Sequence, residues 1–340
     1  MTIKELMIQS TKAPYVSVKS NDISMTLILE HQHDHGVMTF FQIFPGITLA
    51  YIDIDADFWP APVFDEGMKD TNVAKDAKGL LIINYCVKGR CELVLNSHDY
   101  VYVNDHHLSL TERYAQDSYR YPGHCYQGLE LFIDLDETIH CCPWILDQFE
   151  LDLRKLITQY CPDGKTYISP ANERVSKSFI DLWNLLKEKT VSDPQDTALF
   201  PIKMMLLELF QKLLSASNTI ISKPCTFYTE SQVTIAKTVE GIITNELDKN
   251  HPVRELAERF GVSESSLKNY FRGVYGQNIS TYLRKIRMQK ASDLLVNTRD
   301  SVSEIACMVG YSNQSKFAAV FKKEYLMSPL EYRRTYRLKQ

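Results

Sequence analysis

The chain is short of the features that mark several large protein classes. None of its apolar runs approaches the roughly 18 uncharged residues that a membrane-crossing helix needs. Its first residues, MTIKELMIQSTKAPY, have no basic start leading into an apolar core, so no export signal is read there. These two absences predict a cytoplasmic protein with no membrane partner. The eight cysteines (Cys86, Cys91, Cys125, Cys141, Cys142, Cys161, Cys225 and Cys307) include no CxxC pair, which removes the usual zinc and dithiol frameworks. Only Cys141-Cys142 are adjacent, and vicinal thiols are more often buried spacers than reactive pairs. No nucleophile stands in a recognisable arrangement with a base, and no complete metal-ligand set is legible. The expectation is a protein that is not an enzyme and carries no cofactor.

What is present is an uneven distribution of charge. The 340 residues, 44% apolar and 24% charged, suit a soluble chain of two or three domains. Residues 251–340 hold 16 Lys and Arg against 8 Asp and Glu, a net +8. The remaining 250 residues hold 22 against 34, a net −12, so a near-neutral total of −4 conceals a basic C-terminal module behind an acidic body. A basic module of this kind points to nucleic acid as its partner.

Residues from about 23 to 134 read as strands. Short apolar or alternating stretches (Met25–Leu29, Met38–Phe44, Thr48–Ile54, Leu80–Val87, Cys91–Leu95, Tyr100–Val103, Leu129–Ile133) are separated by Gly, Pro, Asn and Asp. Lys88-Gly89-Arg90 reads as a hairpin turn, with Gly89 supplying a positive φ. Many short strands without intervening helical periods predict an antiparallel sandwich or barrel, with a smaller α+β sheet as the alternative. Helical periods follow: Ile145–Tyr160, then Glu173–Lys189 with Val175, Phe179, Leu182, Trp183 and Leu186 on one stripe, then Thr197–Ser215. The last is apolar over more than half its circumference and is expected to pack on both sides, within its own domain or against a second subunit. Residues 216–230 lack periodicity and read as a linker. The domains are therefore drawn at 1–135 (strand-rich), 136–215 (helical, a candidate dimerisation element), 216–230 (linker) and 231–340.

The C-terminal segment contains a repeat. Val253, Leu256, Ala257 and Phe260, followed by Gly261, recur as Val302, Ile305, Ala306 and Val309, followed by Gly310, at a constant offset of 49 residues. The apolar stripe seats one helix, the small Ala lets a second helix cross closely, and the Gly provides the left-handed residue of a tight turn. A second amphipathic helix follows each turn, anchored by Leu267 and Phe271 in one copy and by Phe317 and Phe321 in the other. Between the copies, Ser280–Val296 reads as one continuous helix of about 25 Å. A spacer of that length can hold two recognition helices near the ~34 Å separation of successive major-groove faces.

The segments SLKNYFRGVYGQNISTYLRKIRMQKASDLL and SVSEIACMVGYSNQSKFAAVFKKEYLMSPLEYRR resemble the DNA-binding domain of the AraC/XylS family over about 100 residues. Within the family they look most similar to siderophore-responsive regulators related to the pyochelin regulator. Leu326 stands where a Gly is usual, while Ser328-Pro329 retains the expected helix cap. The resemblance implies an α+β multidomain protein: an N-terminal cupin-like antiparallel β-barrel that senses an effector, a helical segment, and an all-α double helix-turn-helix domain. It implies an effector-controlled transcription activator that binds double-stranded DNA as a homodimer, with RNA polymerase as a further candidate partner and a siderophore or other small molecule as the effector. Carried over residue by residue, Ser265, Lys268 and Asn269 of the first copy and Asn313, Gln314 and Ser315 of the second would read bases. Arg272, Arg284, Lys316 and Lys322 would contact phosphates, which position the protein without specifying sequence. At the centre of the second copy stand Ala318 and Ala319, which offer no bidentate guanine contact. Sharper base discrimination is therefore expected from the first copy.

The N-terminal domain offers fewer specific signals. Tyr51, Phe58, Trp59, Tyr85 and Tyr102 are candidates to line an aromatic ligand pocket, and equally candidates for ordinary core. On an extended strand His31, His33 and His35 would share one face and could ligate a metal, whereas Asp34 and Gly36 favour an exposed loop. The competing functional reading is a cupin-type metalloenzyme, or an alkyl-transfer protein using a reactive Cys, fused to a DNA-binding module.

Overall fold

A computed structural model describes residues 15–20, 24–31, 34–59, 79–95, 99–112, 120–192, 199–216 and 226–337. The chain divides into two compact units, residues 1–227 and 228–340.

In the first unit, β1 (Val16–Ser20), β2 (Ser24–His31), β3 (Asp34–Phe44), β4 (Ile47–Asp55), β5 (Leu80–Leu95), β6 (Asp99–Asn104), β7 (His107–Thr111), β8 (Tyr126–Asp134) and β9 (Tyr167–Pro170) form an antiparallel sheet. Its order is β1-β2-β3-β4-β8-β5-β6, with β7 also on β5 and β9 on β7. Among the described strands of this unit no pairing joins β1 to β6, so the sheet is open rather than a closed barrel.

Alternation along the central strands sends side chains to two separate cores. Leu49 and Tyr51 of β4, Ile83 and Tyr85 of β5, and Leu129 and Leu131 of β8 join one core. Ala50, Ile52 and Ile54 of β4, Ile82 and Cys86 of β5, and Phe132 of β8 join the other, with Met25, Leu27 and Phe40. That is why β4 is apolar almost without interruption: both of its faces are covered. The first core is completed by helices, chiefly α4 (Glu173–Ser192) and α5 (Phe200–Ala216), which follow α1 (Leu135–Cys141), α2 (Pro143–Gln148) and α3 (Arg154–Tyr160). The stripe read from the sequence on α4 is the buried one: Val175, Phe179, Leu182, Trp183 and Leu186. Phe179 stacks on Tyr85 at 4.6 Å between ring centroids and 8° between planes, a pairing worth about 0.5–1.5 kcal/mol beyond burial.

Two expectations are corrected here. Residues 88–90 do not form a hairpin turn, because Leu80–Leu95 is one strand with a bulge between Cys86 and Lys88. Gly89 does have a positive φ of 96°, but its role is close approach: a Cβ there would collide with the carbonyl of Cys125. The periodic stretch 145–160 is broken into α2 and α3, with Glu150 at φ 53° in the break. Most of the linker at 216–230, residues 217–225, lies outside the described residues.

The second unit is all-helical after its first two residues: α6 (Glu230–Asn245), α7 (Val253–Arg259), α8 (Glu264–Tyr275), α9 (Ile279–Asn297), α10 (Val302–Met308), α11 (Gln314–Tyr325) and α12 (Pro329–Tyr336). It contains two small cores. The first takes Val239 and Ile243 from α6, Leu256 and Ala257 from α7, Leu267 and Phe271 from α8, and Ile279 and Tyr282 from the start of α9. The second takes Met288, Ala291 and Leu295 from the rest of α9, Ile305, Ala306 and Val309 from the α10 region, and Phe317 and Phe321 from α11. One helix thus serves both cores, which explains why its apolar residues do not keep a single stripe.

Candidate nucleic-acid interface

Each helix-turn-helix is built by the same local chemistry. Gly261 and Gly310 take positive φ (64° and 80°) in the turns after α7 and α10. Ser263 accepts from the Ser266 N–H at 3.1 Å and caps α8; Asn313 accepts from the Lys316 N–H at 2.9 Å and caps α11. The helix after each turn ends in a left-handed residue, Gly276 (φ 72°) in the first copy and Leu326 (φ 61°) in the second. The turn expected from a Gly is therefore kept by Leu326, at the cost of backbone strain. Ser328 and Glu331 then close a reciprocal cap on α12 with Pro329 in its first turn.

Burying Leu267 with Phe271 and Phe317 with Phe321 leaves one outward face on each second helix. On α8 that face carries Ser265, Lys268, Asn269 and Arg272 at i, i+3, i+4 and i+7, all exposed. On α11 the same spacing carries Ser315, Ala318, Ala319 and Lys322, of which only Ala318 is partly covered. Positions on the two helices correspond at an offset of 50, one more than the 49 of the preceding helices, because the second turn is one residue longer. Asn313, Gln314, Lys316 and Arg284 are exposed too.

Several of these side chains have intramolecular partners. Lys268 Nζ lies 3.1 Å from Glu264 Oε2 in an exposed pair. Such a pair is worth little in water and yields easily to a phosphate or a base. The Ser265 hydroxyl is 2.9 Å from that of Ser263. The Asn313 carbonyl oxygen is committed to its cap, which leaves the amide NH2 as the outward donor. Two arginines of this unit gave no sequence signal and turn inward. Arg333 donates to the carbonyls of Leu295 (3.1 Å) and Asp300 (2.5 Å), and Arg287 donates to the carbonyl of Lys249 (2.8 Å). A basic residue on a helix reads as a solvated charge unless its neighbours in space are known.

In the first unit the aromatic candidates are dispersed. Tyr51 and Tyr85 join the helix-covered core, Tyr51 stacking on Trp183 at 5.5 Å and Tyr85 bonding His106 Nδ1 at 3.1 Å. Trp59 joins the other core, and Phe58 is partly buried. Tyr102 belongs to neither: its hydroxyl donates to Glu92 at 2.9 Å and the Arg90 guanidinium lies 4.6 Å above its ring. On the face of the Trp59 core, the Tyr126 hydroxyl donates to Asn84 at 2.5 Å, and burial pushes the Glu130 carboxyl up to about 7.

The histidines do not share one strand. β2 ends at His31 and β3 begins at Asp34, so His31 pairs across with Asp34 and His35 with Glu30, on opposite faces. His33 lies outside the described residues. Among the described residues no group of three or more His, Cys, Asp or Glu is placed to hold a metal ion. Burial raises the thiols of Cys86, Cys91, Cys142 and Cys161, the last to about 12, the reverse of what a reactive thiolate requires.

Residues 256–335 match a family model described as a helix-turn-helix domain. The chain is 35% identical over 91 residues to the xylose operon regulatory protein of Escherichia coli K12, a match covering 27% of this chain and 23% of that protein. It is 28% identical over 103 residues to the transcriptional activator RhaR of Mannheimia succiniciproducens, covering 30% of this chain and 37% of that protein. Among solved structures, the C-terminal domain of the response regulator AraT from Geobacillus stearothermophilus is 33% identical, covers 31% of this chain and 88% of its own, and superposes with a TM-score of 0.30. The matches span less than two fifths of the length of those two curated relatives. Residues 256–335 of the C-terminal unit thus form a helix-turn-helix domain.

Proposed function

We propose that the protein is an effector-controlled, DNA-binding transcription regulator and not an enzyme. The observation that carries this reading is the repetition of one exposed helix face, on α8 and on α11, held apart by a single helix of 19 residues. At ~1.5 Å per residue α9 is about 28 Å long, close to the ~34 Å repeat of the major groove. In this reading Ser265, Lys268 and Asn269 read bases from α8, and Asn313, Gln314 and Ser315 read them from the start of α11. Arg272, Arg284, Lys316 and Lys322 hold the backbone. The excess of positive charge in residues 251–340 supplies the sequence-independent part of the affinity.

The sheet domain, read as cupin-like, is proposed to bind a small effector, a siderophore-type chelate or another small molecule. Buried polar groups support this reading, because Asn84, Tyr126 and Glu130 sit on the face that carries the apolar side chains of the Trp59 core. Of the aromatic candidates Trp59 belongs to that core, so the proposed pocket keeps Trp59 and leaves out Tyr51 and Tyr85, which join the other core, and Tyr102, which joins neither. Activation through RNA polymerase, a homodimer joined through the helical segment, and a cytoplasmic location belong to the same proposal.

Selection from a randomised duplex library with the full-length protein tests the reading. The expected product is a bipartite site, and enrichment of no sequence would overturn the proposal.

A further inference from the structure

The two turns of the repeat differ in what surrounds them. A Cβ built on Gly261 meets nothing within 4 Å. A Cβ on the equivalent Gly310 would collide with the carbonyl of Leu247 and would lie 2.6 Å from Arg287 Nη2. The second turn is therefore pressed against the loop between α6 and α7, which belongs to the first half. Arg287, on α9, stands at that junction. It is half-buried, its Nη2 donates to the carbonyl of Lys249 at 2.8 Å, and its guanidinium lies 5.9 Å from the ring centroid of Tyr311, the residue after Gly310. Tyr311 in turn packs edge-on against Phe317, an anchor of α11, at 5.7 Å. A chain of contacts thus runs from the first half, through one guanidinium, to the second recognition helix. The two cores are already joined through α9, and a guanidinium with a hydrogen bond on one side and a ring on the other adds a second, direct tie between the halves.

We propose that Arg287 is a positioning residue that fixes the distance and rotational phase between α8 and α11, so that the protein selects operators by the spacing of their two half-sites. This rests on the DNA-binding reading above. One inserted base pair moves a half-site by about 3.4 Å and by roughly a tenth of a turn, which a rigid pair of helices cannot follow.

The test uses full-length wild type, Arg287→Met and Arg287→Lys. Met keeps the apolar stem and removes the donors; Lys keeps the charge and loses the fork. Each is titrated against the duplex selected by the wild type and against versions with one base pair added or removed between the half-sites. The expected result is a loss of about tenfold or more for the wild type on the altered duplexes. Both variants should lose less than about threefold, with the salt dependence unchanged. Identical spacing profiles for all three proteins would overturn the inference. So would a Lys variant that behaves as wild type beside a Met variant weakened equally on every duplex, with a salt slope lower by about one, since that is the signature of a phosphate contact. Should the Met variant fail to fold, the Lys variant alone decides through its spacing profile. If the wild type selects no duplex at all, the DNA-binding reading falls and this inference with it; an unchanged profile removes only the strut.

Discussion

The two halves of the helix-turn-helix unit have nearly the same interior and different outward faces. In the first, Phe271 lies 4.6 Å from Tyr275 and 5.5 Å from Tyr282, and the two tyrosines are 4.9 Å apart. In the second, Phe321 lies 4.6 Å from Tyr325 and 5.3 Å from Tyr332, with those tyrosines 5.0 Å apart. Outside, Lys268 and Asn269 face Ala318 and Ala319 at equivalent positions. The interior is constrained by packing at crystal-like density, where a methyl group is felt. The outward face is constrained only by what it must touch, so the two copies differ there and not in the core.

The largest effects should come from the shared interior. Phe271→Ala and Phe321→Ala are each expected to cost about 3–5 kcal/mol, and to differ from one another by less than about 1 kcal/mol. Hydrogen exchange resolved to α8 and α11 measures each loss in its own half. A clearly smaller loss in one half would break the equivalence drawn from the ring geometry.

Next come the proposed base contacts, where the halves should diverge. Lys268→Ala and Asn269→Ala are each expected to cost about 1–3 kcal/mol of binding and to relax preference in one half-site only. Grafting the pair onto the second copy, as Ala318→Lys with Ala319→Asn, should sharpen the other half-site, read as an altered base frequency after selection. Unchanged preference in all of these variants would remove α8 and α11 as readers of sequence. Arg272→Ala and Lys322→Ala occupy equivalent positions and should behave alike. Each should weaken binding on every sequence and lower the salt slope by about one, and a change of base preference in either would reassign it from backbone to base contact.

How much of this was legible beforehand follows the same division. The helix-turn-helix repeat could be read because Leu256, Ala257 and Gly261 recur at fixed offset, and a buried helical stripe leaves a periodic trace. Ser265, Lys268, Asn269 and Arg272 come from the family resemblance, and the burial of Leu267 and Phe271 on the opposite side leaves all four exposed. The roles of Arg287 and Arg333 did not follow, because each is defined by carbonyls distant in sequence. In the sheet, the sequence pattern marks most strands but not β1, β7 or β9, and it divides β5 in two because Gly89 gives the same signal beside a bulge as in a turn. The period-2 argument that would give His31 and His35 one face holds only where the chain continues straight, and here it reverses, as Asp34 and Gly36 suggest. The aromatic candidates share composition and not location: Tyr51 lies within β4 and joins one core, whereas Trp59 comes after the end of that strand and joins the other.

The smallest expected effect sharpens the comparison at the C-terminal ends of α8 and α11. Gly276 and Leu326 occupy equivalent left-handed positions at the ends of α8 and α11, yet only glycine takes that conformation without a clash between its own side chain and the backbone. Leu326 is 85% exposed, so its side chain returns little packing for the strain it causes. Replacing it by glycine removes about 1–2 kcal/mol of strain and adds roughly 0.5–1 kcal/mol of unfolded-state entropy. The net expectation for Leu326→Gly is a stabilisation of roughly 0.5–1 kcal/mol, seen as slower exchange of α11 and α12 amides, with α8 unaffected. A destabilised variant would mean that the leucine side chain has an occupant on its exposed face, and the second half would then carry a contact that the first half lacks.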